Sequence, residues 1–295
     1  MKKKEIFRGT ATALITPFRD GEIDYPALYS IIDAQISAGI DALVIGGTTG
    51  EAATLDEDER YRLYSSAAEH INGRTKLIFG TGTNDTRCAI RHTRRAEEIG
   101  CDAVLVVTPY YNKGTDDGLI SHYTAIADAS DKPLILYNVP SRTGVNLSIS
   151  QLRRLAEHPM ISAIKEASDS LERMVDISLL GDSLALYSGN DSQIYPTLAL
   201  GGLGVISVIS NLLPKETGDI CRLYFDKKPE KSRLASERLL PIIRAMFIET
   251  NPAPIKYAMS RAGLCSPELR LPLSIPKEST KSVIDGMLSD FGLLK

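Results

Sequence analysis

Lys165 ends the short apolar run ISAIK beside the apolar neighbours Ile161, Ala163 and Ile164, which are expected to keep water from its amine, and a lysine amine in its neutral form attacks a carbonyl carbon. Imine formation through a carbinolamine moves protons on and off oxygen and nitrogen, so hydroxyls must stand within hydrogen-bond reach. Tyr137, in the run PLILYN, is placed to do this, and Thr48 and Tyr111 extend it into a hydroxyl chain toward solvent. The turn GGTTGE (46–51) joins the Thr48 and Thr49 hydroxyls to backbone amides freed by Gly46, Gly47 and Gly50, a cradle for a carboxylate. It lacks the GxxxxGK[ST] pattern of a nucleotide loop. Arg142, in YNVPSRTG (137–144), offers a fork for a second carboxylate. Blander readings compete at each place: a solvated lysine that snorkels to water, a packed tyrosine, a plain tight turn and a surface arginine.

Those side chains need a scaffold that gathers strand ends. Eight short β-branched runs recur: 10–18, 41–47, 76–82, 103–109, 133–138, 161–165, 184–189 and 204–208. Stretches of helical spacing separate them, the signature of parallel strands with crossover helices. Asp24 opens one helix, Asp56 with Glu59 forms a capping-box-like start, and Gly39 and Gly100 sit where helices stop. The expected fold is α/β, a (β/α)8 TIM barrel over 1–225 with a C-terminal helical region over 226–295, entered through the polar segment 225–233. A doubly wound open sheet is the alternative. In a barrel the reactive groups collect at the carboxyl ends of strands. Lys165 lies at such an end, whereas Lys76 and Lys132 precede their strands and Lys113 lies out in a loop.

Composition narrows the class. With 34 basic and 37 acidic residues the net charge is -3, which favours neither nucleic acid nor an anionic membrane and leaves a small molecule as the partner. Cys88, Cys101, Cys221 and Cys265 form no CxxC pair, and His70, His92, His122 and His158 form no metal motif, so the thiols read as reduced and the histidines as helix-surface or satisfied buried groups. The basic start MKKKEIFRGT has no apolar stretch of a signal peptide behind it, and GGLGVISVIS (201–210) is too short to cross a bilayer. A soluble, cytoplasmic protein is expected.

Taken together, GGTTGEAATL, TPYYNKG, YNVPSRTGVNL, IKEAS, YSGND and ETNPAPIKYA resemble the dihydrodipicolinate synthase (4-hydroxy-tetrahydrodipicolinate synthase) family, of the N-acetylneuraminate lyase superfamily of class I aldolases, over nearly the whole chain. The resemblance implies a Schiff-base lyase that condenses pyruvate with L-aspartate 4-semialdehyde on the way to diaminopimelate and lysine, with no metal or organic cofactor. It implies that Lys165 forms the imine, that Tyr137 moves its protons, and that Thr48 links Tyr137 to Tyr111, which reaches in from a neighbouring subunit of a homotetramer or homodimer. It further implies that Thr49 and Ile206 contact pyruvate, that Gly189 lines the pocket and that Arg142 meets the semialdehyde's carboxylate. The sequence departs from lysine-inhibited members at Glu57, Arg60 and Cys88, while Asn84 and Tyr110 are retained, so weak or absent feedback by lysine is expected. The alternatives are N-acetylneuraminate lyase or a 2-keto-3-deoxy sugar-acid aldolase, and a non-catalytic barrel that binds a 2-oxo acid.

Overall fold

Eight parallel strands close into a barrel: β1 (Gly9–Ala13), β2 (Ala42–Ile45), β3 (Lys76–Gly80), β4 (Ala103–Val107), β5 (Leu134–Asn138), β6 (Ile161–Glu166), β7 (Ala185–Ser188) and β8 (Gly204–Ser207), with β1 paired to both β2 and β8. The computed structural model describes residues 5–294, so the basic cluster at residues 2–4 lies outside the described residues. Closure rules out the open doubly wound sheet. Among the described residues no strand follows β8, and helices Pro229–Ala245, Ala253–Arg261 and Glu278–Asp290 make up the C-terminal part.

Period-two alternation splits the core into two layers. Leu43, Ile45, Leu77, Phe79, Val104, Val106, Leu134 and Leu136 face outward into the larger cluster beneath the helices. Ala11, Ala13, Ala42, Val44, Ile78, Ala103, Leu105, Ile135, Ala163 and Tyr187 fill the barrel's interior. At its amino end the Phe7 ring stacks on Tyr187 at 4.2 Å, and the Tyr187 hydroxyl donates to the Phe7 carbonyl at 2.5 Å, plugging the floor.

The pairing of β5 with β6 carries an irregularity on which the chemistry depends. Leu134 pairs with Ile161 but Ile135 pairs with Ala163, so Ser162 is an extra residue in β6. Ile161 lies in the outer layer and Ala163 in the inner one. Residues two apart normally share a face; the bulge breaks that rule, and from Ala163 onward the odd positions point inward. Lys165 therefore enters the barrel while Glu166 leaves it.

Two expected boundaries change. The first strand stops at Ala13 and does not run to Phe18: Pro17 has no N–H for a ladder, and Phe18–Arg19 turns back through Asp20 and Gly21, both at positive φ, to pair antiparallel with Glu22–Ile23. The connection expected over 225–233 shrinks to 226–228, because Pro229, which needs no helical N–H partner, already starts a helix. The expected helix signals appear in place. Asp24 accepts from Ala27 N–H, Asp56 and Glu59 form a capping box, and Gly39 and Gly100 adopt positive φ after their helices. Among the described residues no helix is long and apolar enough to cross a membrane.

His92 and His122 are buried under the helices. His122 Nδ1 contacts Thr86 Oγ1 at 2.9 Å; His92 Nδ1 contacts the Tyr61 hydroxyl at 3.0 Å and its Nε2 the Cys88 thiol at 3.2 Å. Desolvation pushes both imidazoles down to about 4 from an ordinary 6.5. The unfolded chain thus binds more protons than the folded one between those values, and stability falls as pH drops through that window, by on the order of 2–3 kcal/mol per histidine. Urea midpoints should decline from pH 7 to pH 4.5, and His122→Gln should flatten the slope; an unchanged slope would show that the imidazole is charged in the fold.

Candidate active site

Register and the bulge set Lys165 directly beside Tyr137 at the carboxyl ends of β6 and β5. The lysine is only 5% exposed, and its Nζ lies 4.2 Å from the centroid of the Tyr137 ring, whose electron-rich face fixes the amine's position. Behind them, Asn138 and Glu166 pair on the outward side. The Glu166 carboxylate accepts from Asn138 Nδ2 at 3.0 Å, Ser168 N–H at 2.8 Å and Arg173 Nε at 3.0 Å, so its buried charge is neutralised and the two strand ends are tied together.

A cavity of about 400 Å³ opens over the amine, lined by Lys165, Tyr137, Thr49, Arg142, Gly189, Asp191 and Asn251. A second, of about 300 Å³, adjoins it across Tyr137, Arg142 and Asn251 and is lined by Thr48, Arg60 and Tyr110 as well. The structure thus gathers Lys165, Tyr137, Thr49, Arg142 and Gly189 around one space, with Thr48 on its neighbour. Ile206 is buried in the inner apolar layer and does not line either cavity.

The GGTTGE turn is bent by Gly46 at φ 68, where a Cβ would lie 2.5 Å from the Tyr64 hydroxyl. One part of the expected amide cradle is corrected: Gly50 N–H is committed to the Gly47 carbonyl at 3.1 Å inside the turn. Glu51, at φ 52, ends the turn with its carboxylate 2.5 Å from the Lys256 ammonium, both fully buried. Arg142 rises from the short helix Pro140–Thr143, which Gly144 closes at φ 65.

Tyr111 does not join the site of its own chain. It is 91% exposed at φ 70, and among the described residues no hydrogen bond joins it to Thr48 or Tyr137. A left-handed backbone is uncommon for a tyrosine, and here it turns the ring out into solvent.

Three groups at the site were not assigned from sequence. Asp191 is buried, its Oδ2 accepts from Val208 and Ile209 N–H at 3.0 and 2.9 Å, and burial raises its carboxyl pKa. Asn251 and Lys256 come from ETNPAPIKYA, whose Pro-rich pattern marks a helix start and nothing chemical. Among the described residues no three His, Cys, Asp or Glu side chains are grouped to hold a metal ion.

The model of the Dihydrodipicolinate synthetase family matches residues 6–290. A 4-hydroxy-tetrahydrodipicolinate synthase of Pelobacter propionicus is 44% identical over 290 residues, covering 98% of this chain and 100% of its own length. Among solved structures, the dihydrodipicolinate synthase of Aquifex aeolicus superposes with a TM-score of 0.96 at 40% identity, over 98% of this chain and 100% of that one. The chloride-inhibited enzyme of Acinetobacter baumannii, complexed with pyruvate, gives 0.95 at 39% identity, over 97% of this chain and 99% of that one. On a match of this length, with the same barrel beneath it, the chain belongs to the Dihydrodipicolinate synthetase family.

Proposed function

We propose that this chain is a 4-hydroxy-tetrahydrodipicolinate synthase that condenses pyruvate with L-aspartate 4-semialdehyde through an imine on Lys165. The observation that carries the reading is a lysine amine buried inside a barrel mouth, against a tyrosine ring, on a cavity that also holds Thr49 and Arg142. A sugar aldolase shares the lysine and tyrosine. Arg142 on that cavity suits an aldehyde bearing its own carboxylate.

Thr49 holds the pyruvate carboxylate while the neutral Lys165 amine adds to the ketone carbon. The Tyr137 hydroxyl carries the proton to the carbinolamine oxygen, water leaves, and the protonated imine becomes an electron sink. Loss of a methyl proton then gives an enamine whose carbon attacks the aldehyde, and the aldehyde oxygen takes up a proton. Arg142 fixes the second carboxylate before that bond forms, so that orientation is set in advance. The α-amino group of the condensed chain closes on the imine carbon and displaces Lys165. Thr48 connects Tyr137 to the hydroxyl of Tyr111 from a neighbouring copy, Gly189 leaves the wall open, and Ile206 contributes to the apolar interior. The outward Tyr111 is in keeping with an oligomer, a homodimer or homotetramer, in which it serves a neighbour's site. The cytoplasm is the compartment, in keeping with four free thiols at Cys88, Cys101, Cys221 and Cys265.

Borohydride with pyruvate should leave one reduced adduct on Lys165 by peptide mass spectrometry, and Lys165→Ala should lose it. An adduct on another lysine would sink the assignment. Mixing Lys165→Ala chains with Tyr111→Phe chains should regain activity that neither has alone, since some mixed assemblies contain one intact site; no recovery on subunit exchange would mean that Tyr111 serves no neighbour's site.

Arg60 donates to the Ala52 carbonyl at 2.6 Å and brings a cation to the smaller cavity, while Glu57 accepts from the Tyr61 hydroxyl at 2.9 Å and Cys88 faces His92. A cationic amino acid meets a like charge there, so millimolar lysine should change the initial rate by less than about two-fold. Full inhibition would show that these three replacements do not disable the effector site.

A further inference from the structure

Asn251 touches both residues that hold carboxylates in the reading above. Its Nδ2 donates to Thr49 Oγ1 at 2.9 Å, and its backbone carbonyl accepts from Arg142 Nη2 at 3.0 Å. A threonine hydroxyl has a single proton. Once its oxygen accepts from Asn251, that proton is left for another acceptor, and a substrate carboxylate is one. The Arg142 contact occupies one N–H and leaves the rest of the guanidinium fork for an anion.

Asn251 is buried and lines both cavities. Its Oδ1 is enclosed and has no hydrogen-bond partner among the described residues. An unpaired buried acceptor is costly unless a donor arrives with a ligand. Pyruvate carries no N–H; the semialdehyde carries an ammonium on the carbon next to its carboxylate, the group that Arg142 receives. Of the carboxylates on the two cavities, Glu51 is already paired with Lys256, and Asp191, whose Oδ1 is also without a partner among the described residues, is held by Val208 and Ile209 N–H within reach of the Lys165 charge.

We propose that Asn251 determines specificity for the aldehyde substrate: it sets Thr49 and Arg142 as one frame for two carboxylates, and its Oδ1 accepts a hydrogen bond from the α-ammonium group. The inference rests on the substrate reading above. It also explains why a residue of the C-terminal part sits at the barrel mouth, held in place by the Lys256 anchor five positions on.

The test compares kcat/KM for L-aspartate 4-semialdehyde and for succinate semialdehyde, the same chain without its amine, in the native enzyme and in Asn251→Ala. Borohydride trapping of pyruvate runs alongside. The expected result is a Lys165 adduct in both proteins, with the preference for the amine-bearing aldehyde reduced about ten-fold or more in the variant. Asn251→Ser, read in the same way, replaces the alanine variant if thermal melting shows that it does not fold. A preference unchanged in a folded variant overturns the assignment, whether or not both aldehydes lose kcat/KM equally. Absence of the adduct from the native enzyme removes the substrate reading itself, and this inference with it.

Discussion

The chemistry depends on the phase of one strand. Ile161 packs outward, and two-residue alternation from it would send Lys165 outward too, into the apolar layer beneath the helices. The extra residue Ser162 resets the phase, so the lysine enters the barrel and Glu166 takes the outward place. There a carboxylate can be satisfied by Asn138, Arg173 and the Ser168 amide, whereas a lysine ammonium would face hydrocarbon. The bulge and the outward network thus support each other: one aims the amine, the other fills the position that the amine vacates.

The interior has to make room for what the bulge delivers. Small barrels are packed solid, so long side chains such as Lys165, Tyr137 and Tyr187 fit inside only where neighbours are small. Ala11, Ala13, Ala42, Ala103 and Ala163 supply that room. The Phe7 and Tyr187 rings close the floor, and the cavity above is left open at the carboxyl ends alone.

Much of this was legible in the sequence because it is local. Eight β-branched runs, the Asp24 and Asp56 caps and the stops at Gly39 and Gly100 are set by neighbours a few residues away. Lys165 stood out because it ends a run. The reason it points inward was not legible, since a bulge is a property of pairing between two strands, and ISAIK alone carries no mark of it. The overlong first strand has the same cause: TATALITPF reads as continuous until Pro17 and the positive φ at Asp20 and Gly21 force a hairpin. Asn251 and Lys256 were invisible as site residues because their partners Thr49 and Glu51 lie some two hundred positions earlier, as |i−j| of 202 and 205. Tyr111 shows the opposite limit. Its role was implied by resemblance, and one chain can show only that the side chain points away.

Glu51 explains why the C-terminal helices touch the mouth at all. It ends the GGTTGE turn in a left-handed backbone, which costs a non-glycine residue on the order of 1 kcal/mol and relaxes unless its surroundings hold it. The hold is complete: one carboxylate oxygen meets Lys256, the other accepts the Arg270 N–H at 3.0 Å, and Lys256 also donates to the Glu268 carbonyl at 2.8 Å. A buried ion pair adds little net stability over a well-packed apolar pair, but breaking it on one side leaves an isolated charge in the core. Its effect is to permit one geometry and penalise others. That geometry fixes the turn bearing Thr48 and Thr49 against the segment bearing Asn251, so a strained turn in the barrel and a helix that follows it act as one rigid wall of the site.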